Sequence, residues 1–225
     1  SKLREFIYIG RNSQVNKDNK IIGAGLRKAG CPVCGSRDRD RLLFNFLLKE
    51  FKIFKKPKSF KILHIAPELL ISKAIRKHGF TNYICGDLFT AGYEYPKYVE
   101  KMNVLNIPYT DNYFDLVICN HVLEHIPEDS KALSEIYRVL KSNGTAIIQV
   151  PISETLTTTY ENESINTPDL REKHFGQRDH VRIYGQDFWK KLTKTGFKVK
   201  KKYFAEKSFL NGINEKEPIT IALKA

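Results

Sequence analysis

Six histidines punctuate this chain, and four of them, His121, His125, His174 and His180, are expected near the mouth of a site. An imidazole with an ordinary pKa of ~6.5 can take a proton from a hydroxyl or an amine near neutral pH. His121 has the best address, directly after the apolar run Phe114 to Cys119 and Asn120. His125, one helical turn on, reads as a packing or capping residue. The stretch His174-Phe-Gly-Gln-Arg-Asp-His180-Val-Arg-Ile-Tyr184 forms a second cluster. In it Asp179 can either orient His180 as a base or pair with Arg182 to fix the loop. Asp87, after Gly86, offers a carboxylate that accepts two hydrogen bonds at once and so suits a vicinal diol. The same residue type is also common in plain turns.

Groups like these need elements to position them, and Asp111 to Pro151 supplies the clearest set. Asp111-Asn112 is a turn, and Phe114 to Cys119 is a short apolar strand that ends abruptly in Asn120 and His121. Asp129 or Ser130 can cap the helix that follows, whose Ala132, Leu133, Ile136, Tyr137 and Leu140 fall on one face. Asn143-Gly144 is expected to stop that helix in left-handed geometry. A second apolar strand, Ala146 to Val150, comes next. Strand, helix and strand with both strands apolar throughout describe a right-handed crossover in a parallel sheet covered on both faces. Ligands of such sheets bind outside the carboxyl ends of the strands, where Asn120 and His121 stand.

This segment resembles the fourth-strand region of class I S-adenosylmethionine-dependent methyltransferases of the small-molecule, type 11-like kind. The residues that carry the likeness are Phe114-Asp115-Leu116-Val117, Val122-Leu123-Glu124-His125 and Arg138-Val139-Leu140-Lys141-Ser142-Asn143-Gly144. The resemblance implies an α/β fold: a Rossmann-like, doubly wound, mostly parallel seven-stranded sheet with an antiparallel edge strand. Residues 61–225 fit it in outline. Lys61 to Ile65, Tyr83 to Cys85 and Tyr98 to Met102 read as the first three strands. Leu70 to His78, closed by Gly79, is the first helix. A helix from Gln186 to Thr195 and strands at Phe197 to Phe204 and Ile219 to Leu223 complete the pattern. Residues 1–60 form an N-terminal extension and helical cap. Within it Arg41 to Phe51 is apolar nearly all round, which suits a helix packed across the sheet or over the cofactor pocket.

The resemblance implies S-adenosylmethionine as cofactor and maps its site. His64, Ala66, Pro67 and Glu68 form the loop beneath the methionine and ribose. Asp87 and Leu88 hold the ribose, with Asp87 on its two hydroxyls. Asn103 and Val104 flank the adenine, and Asn120 and His121 line the sulfonium end. The loop departs from the family's glycine-rich pattern, because His64 to Leu70 contains no glycine. Glycines there allow close backbone approach, and Pro67 in addition removes an N–H donor. Methyl transfer by in-line displacement would need mainly alignment and removal of a proton. His121, His180 and His174 are the candidates for that step. The polar loop of about 153–182 reads as a substrate lid, with Tyr160, Arg182 and Tyr184 as substrate contacts.

Composition narrows the partners. The chain has 225 residues, is 41% hydrophobic and carries a formal net charge of +13. That length buries a full core without staples. No stretch approaches the ~20 apolar residues of a membrane span, and the start lacks a secretory leader, so a cytoplasmic location is expected. The four cysteines read as reduced thiols. Cys31-Pro-Val-Cys34 is half of a zinc-ribbon pattern without the second pair, so no metal is expected. The positive charge suits an anionic small metabolite. It also keeps an RNA or DNA methyltransferase as the alternative, although the lysine clusters lack the interleaved aromatics that stack bases. A catalytically silent binding protein on the same scaffold is the third reading. A nicotinamide enzyme lacks its phosphate-binding glycine turn here.

Overall fold

Strands buried along most of their length fix the centre of the molecule. The computed structural model describes residues 5–90, 92, 94–204 and 212–225. Its central sheet is built from β1 (Ile62–Ile65), β2 (Tyr83–Asp87), β3 (Val99–Lys101), β4 (Phe114–Asn120), β5 (Leu140–Gln149), β6 (Phe197–Lys202) and β7 (Ile219–Lys224). The strand order is β6-β7-β5-β4-β1-β2-β3, with β7 antiparallel to both β5 and β6 and the remaining pairs parallel. This is the expected seven-stranded Rossmann-like sheet. Its strand order reverses at β1 and β4, which puts the binding crevice beyond Ile65 and Asn120.

Among the described residues six α-helices accompany it: α1 (Gln14–Asp18), α2 (Asp38–Asn45), α3 (Leu69–His78), α4 (Asp129–Val139), α5 (Pro168–Phe175) and α6 (Phe188–Lys194). In α4 the buried Ala132, Leu133, Ile136 and Val139 recur at three- and four-residue spacing and meet Phe114, Val117 and Ile148 in one apolar layer. The opposite face of the sheet is covered by α2, a following π-helical turn (Phe46–Glu50) and α3. There Leu42, Leu43, Phe46 and Leu47 pack with Ile71, Ile75, Leu116 and Ile147. The N-terminal residues therefore share the core of the sheet. They are also stitched to its far end by a two-residue ribbon, Ile21–Ile22 against Ile152–Ser153.

Several local expectations are corrected. The helix of residues 129–139 ends before Asn143, and Leu140 already belongs to β5; residues 141–144 form an irregularity in the register with β4, where Asn143 takes the left-handed conformation at φ 62°. Asp129 is not the cap of α4, since that position falls to Glu128 and the Asp129 carboxylate is turned inward. The span 153–182 is not a structureless lid. It contains a two-residue strand, Tyr160–Glu161, paired with Arg182–Ile183, and the helix α5, capped by Thr167 with Pro168 in its first turn. No helix among the described residues is long and apolar enough to cross a membrane.

Candidate active site

The turn after β1 is organised by a buried histidine. His64 is fully buried, with Nδ1 2.8 Å from the Tyr83 hydroxyl and Nε2 2.7 Å from Oε2 of Glu68. The other Glu68 oxygen accepts a hydrogen bond from Nδ2 of Asn120 at 3.2 Å. Burial raises the Glu68 pKa, but the hydrogen bond and charge of His64 outweigh it and hold the carboxyl below its usual range. The glycine-free loop finds its left-handed residue in Ala66, at φ 47°, whose N–H donates to the Gly86 carbonyl at 2.8 Å. A close approach that glycine alone permits occurs one strand over: a Cβ on Gly86 would lie 2.7 Å from Sδ of Met102.

The groups expected to hold the cofactor end on this same edge. Asp87 closes β2 and spends one oxygen on the Phe89 N–H at 3.2 Å. Leu88, Phe89, Leu69 and Leu70 present exposed apolar surface beside it, while Val104 is buried. Asn103 is exposed, and its side-chain oxygen accepts from the Leu105 N–H at 2.9 Å. Asn120 is buried with Oδ1 lacking any partner, so it offers an acceptor at the end of β4. An apolar shelf, a strand-end carboxylate and an orphaned amide oxygen fit a nucleoside-bearing cofactor.

Beyond β4 the chain turns sharply at His121, whose φ is 55°. That turn aims the ring into a cavity of about 810 Å³ under the N-terminal ribbons. Gly23 lies against the ring, since a Cβ there would sit 3.5 Å from Cε1 of His121. The cavity wall is heavily charged, with Arg11, Arg27, Arg37 and Arg39 on one side and Glu124, His125, Asp179 and His180 on the other. Arg27 is committed to Asp38 through bonds of 2.5 and 2.7 Å. Among the described residues Arg37 and Arg39 make no ion pair, and Nε of Arg39 is buried without a partner. Burial and the neighbouring Arg39 push the Arg37 pKa down, the mark of positive charges crowded at a site.

The opposite wall is a network of carboxylates and imidazoles. His121 Nδ1 stands 3.5 Å from Glu124 Oε1, and its Nε2 is buried without a partner. Burial, then Arg39, drives the His121 pKa down. Burial opposes ionisation of Glu124, yet His121 and the two further imidazoles hold its carboxyl down at about 2. His125 faces Asp179 at 3.3 Å and stacks edge-on with His180 at 4.7 Å between ring centroids. Asp179 thus serves His125, and neither His180 nor Arg182 takes it as expected.

Four expected site residues sit elsewhere. Arg182 is 5% exposed and spent on Asp129, Glu161 and the carbonyls of Ile126 and Pro127. Tyr184 is fully buried and donates to Asp129 at 2.6 Å. Both therefore clamp the segment behind the cavity and have no reach into it. Tyr160 and His174 bond to each other at 3.1 Å outside the cavity wall. Nothing in the local sequence around Glu124, Gly23 or Arg27 marks them as lining a cavity. For Arg37 and Arg39 the signal was their clustering at the start of α2.

Residues 65–148 match the family described as a methyltransferase domain. Over 54 residues the chain is 48% identical to an uncharacterized protein of Methanocaldococcus jannaschii, covering 24% of each. Over 69 residues it is 34% identical to the ubiquinone/menaquinone biosynthesis C-methyltransferase UbiE of Psychromonas ingrahamii, covering 29% of this chain and 28% of that protein. The matches thus span about a quarter of the length of these curated relatives. A S-adenosylmethionine-dependent methyltransferase from Archaeoglobus fulgidus superposes with a TM-score of 0.50 at 18% identity, over 82% of this chain and 94% of that one. With the strand order above, residues 65–148 match a methyltransferase domain, and the fold is the one this S-adenosylmethionine-dependent methyltransferase also has.

Proposed function

We propose that this chain transfers a methyl group from S-adenosylmethionine to a small anionic metabolite held in the arginine-lined cavity. The observation that carries this reading is the position of His121. It links the cofactor edge, through Asn120, to a cavity where Arg37 and Arg39 have no carboxylate partner among the described residues. When bound, the cofactor supplies an electrophilic methyl carbon on a sulfonium leaving group. Ala66, Glu68, Asp87, Leu88 and Asn120 would hold it, with Asp87 accepting from the ribose hydroxyls. Asn103 and Val104 would border the adenine.

The remaining work falls to the cavity. Arg37 and Arg39 would bind and orient a phosphate or carboxylate, and the guanidinium fork suits either. His121, kept neutral by burial, would take the proton of the attacking hydroxyl, amine or acidic carbon at its free Nε2. Residues 5–60 would act as the cap that excludes water. A quinone ring, the substrate class of the UbiE relative, is less suited to a wall of four arginines than an anion is.

Calorimetric titration with S-adenosylmethionine and S-adenosylhomocysteine tests the reading. Micromolar binding of both, lost in Asp87→Ala, is the expected result. A folded protein that binds neither would leave a silent scaffold in place of the enzyme. Methylation of RNA or DNA in preference to any phosphorylated or carboxylated metabolite would move the substrate to the alternative class.

A further inference from the structure

We propose that Glu124, His125 and His180 form a binding site for one divalent transition-metal ion at the mouth of the cavity, so that the site takes a metal-chelating anion. The proposal deepens the methyltransferase reading and rests on it only for the substrate's role. One ligand atom from each of the three residues lies within 4.8 Å of the others. Bonds of about 2.0–2.1 Å in a tetrahedral site place ligand atoms roughly 3.3 Å apart, so small side-chain rotations close the set. Two imidazoles with one carboxylate suit zinc, manganese or iron(II) better than calcium or magnesium.

The unsatisfied atoms point the same way. Glu124 is 2% exposed, and its Oε2 is buried without a partner. A buried, half-partnered carboxylate is costly, and a cation would complete it. His180 is also buried, and among the described residues its ring makes no hydrogen bond. His125 already has the outer partner that metal-bound imidazoles carry, because Asp179 stands on Nδ1 through its carbonyl at 3.2 Å and its carboxylate at 3.3 Å. That leaves the other ring nitrogen to coordinate. The backbone fixes the spacing: the Val181 N–H donates to the Glu124 carbonyl at 2.9 Å and locks the His180 segment against the turn Leu123–His125.

Position gives the site its use. All three residues line the cavity that Arg37 and Arg39 also line. Three protein ligands leave open positions on the ion, and these face the space where the substrate anion would sit. An oxygen donor on that anion would coordinate the ion while its charge meets the two guanidinium groups. Carbohydrate acids, catechol-like diols bearing a carboxylate and phosphorylated hydroxy acids have this chemistry. The other metal candidate, Cys31 and Cys34, supplies only two thiols, and Cys85 and Cys119 are buried in the sheet.

The test uses the full chain with Cys31→Ser and Cys34→Ser, stripped with a chelator and titrated with Zn²⁺, Mn²⁺ and Co²⁺ in calorimetry. One ion per chain is expected, and the Co²⁺ form should show a nitrogen- and oxygen-ligand visible spectrum without a thiolate band. Asp179→Asn should weaken binding about 10–100-fold, and Glu124→Gln or His180→Ala by more than that. A folded, stripped protein that takes up no ion would overturn the proposal. So would uptake that persists in the Glu124→Gln/His180→Ala double variant, or that requires the cysteines. Parallel titration with S-adenosylmethionine separates the two readings. Metal uptake without cofactor binding would keep the site and remove the methyltransferase role, and the reverse result would do the opposite.

Discussion

The buried imidazole of His64 lies 2.7 Å from the carboxylate of Glu68, four residues on and across the turn that ends β1. The contact replaces the flexibility of a glycine loop with a fixed hydrogen-bonded bend. Because the Glu68 pKa is depressed in the folded chain, its contribution is present above the ordinary value of 4.5 and lost as pH falls through the lower folded value. Glu68→Gln should therefore cost on the order of 1–3 kcal/mol near neutral pH, and the gap to the wild type should narrow in acid. Urea unfolding at a series of pH values checks this; a gap that stays constant down to the acid limit would remove the ion pair from the turn.

Asp129 is the hub of a second buried network, which receives Arg182 at 2.8 Å, Lys191 at 2.6 Å and Tyr184 at 2.6 Å. Removing one partner of such a pair leaves a buried charge unpaired. Asp129→Ala should thus destabilise by about 3–5 kcal/mol. Cofactor affinity should be untouched in whatever fraction remains folded, since none of these groups reaches the cofactor edge. Thermal unfolding together with a cofactor titration measures both quantities. A variant of normal stability with lost binding would return Arg182 and Tyr184 to the substrate site.

Gly86 lies where β2 passes Met102, and an added Cβ would meet Sδ at 2.7 Å and the Met102 Cβ at 2.9 Å. The side-chain end can swing away, but the Cβ contact requires backbone movement. Gly86→Ala should cost about 1–3 kcal/mol, as overpacking usually does. It should also weaken cofactor binding by displacing Asp87. Stability and binding measured on the same sample test the pair of effects, and restoration of both in a Gly86→Ala/Met102→Ala double variant would assign them to this contact.

The central sheet was legible because its inner parallel strands are largely buried and read as mostly apolar runs ending in polar residues, as Phe114 to His121 does. Strand ends mark the edge where such sheets bind ligands, so Asp87, Asn120 and His121 could be placed on that edge from the sequence. Arg182 and Tyr184 could not be sorted this way. Polar residues in a buried clamp and in a binding site have the same composition, and only their partners differ. The helix Pro168–Phe175 hid in a polar stretch because it buries little beyond Phe175. The cavity itself was invisible, since Arg39 and His121 converge only once the N-terminal ribbons are laid across the end of the sheet. No local pattern encodes that crossing.

Glu217 supplies a second pH dependence, opposite in sign to that of Glu68. It is 4% exposed, its Oε2 has no partner, and burial followed by the nearby Asp38 pushes its pKa up to about 7. The folded state thus holds a proton between the ordinary 4.5 and about 7 that the unfolded chain has released. More protons bound in the native state means that stability falls as pH rises across that window. Glu217→Gln keeps the neutral shape and removes the titration. The variant should match the wild type at about pH 5 and exceed it near pH 8 by on the order of 2–3 kcal/mol. Urea midpoints at the two pH values, with unchanged slopes, provide the measurement. Parallel pH profiles for the two proteins would mean that Glu217 is ionised in the fold and that Arg27 compensates it.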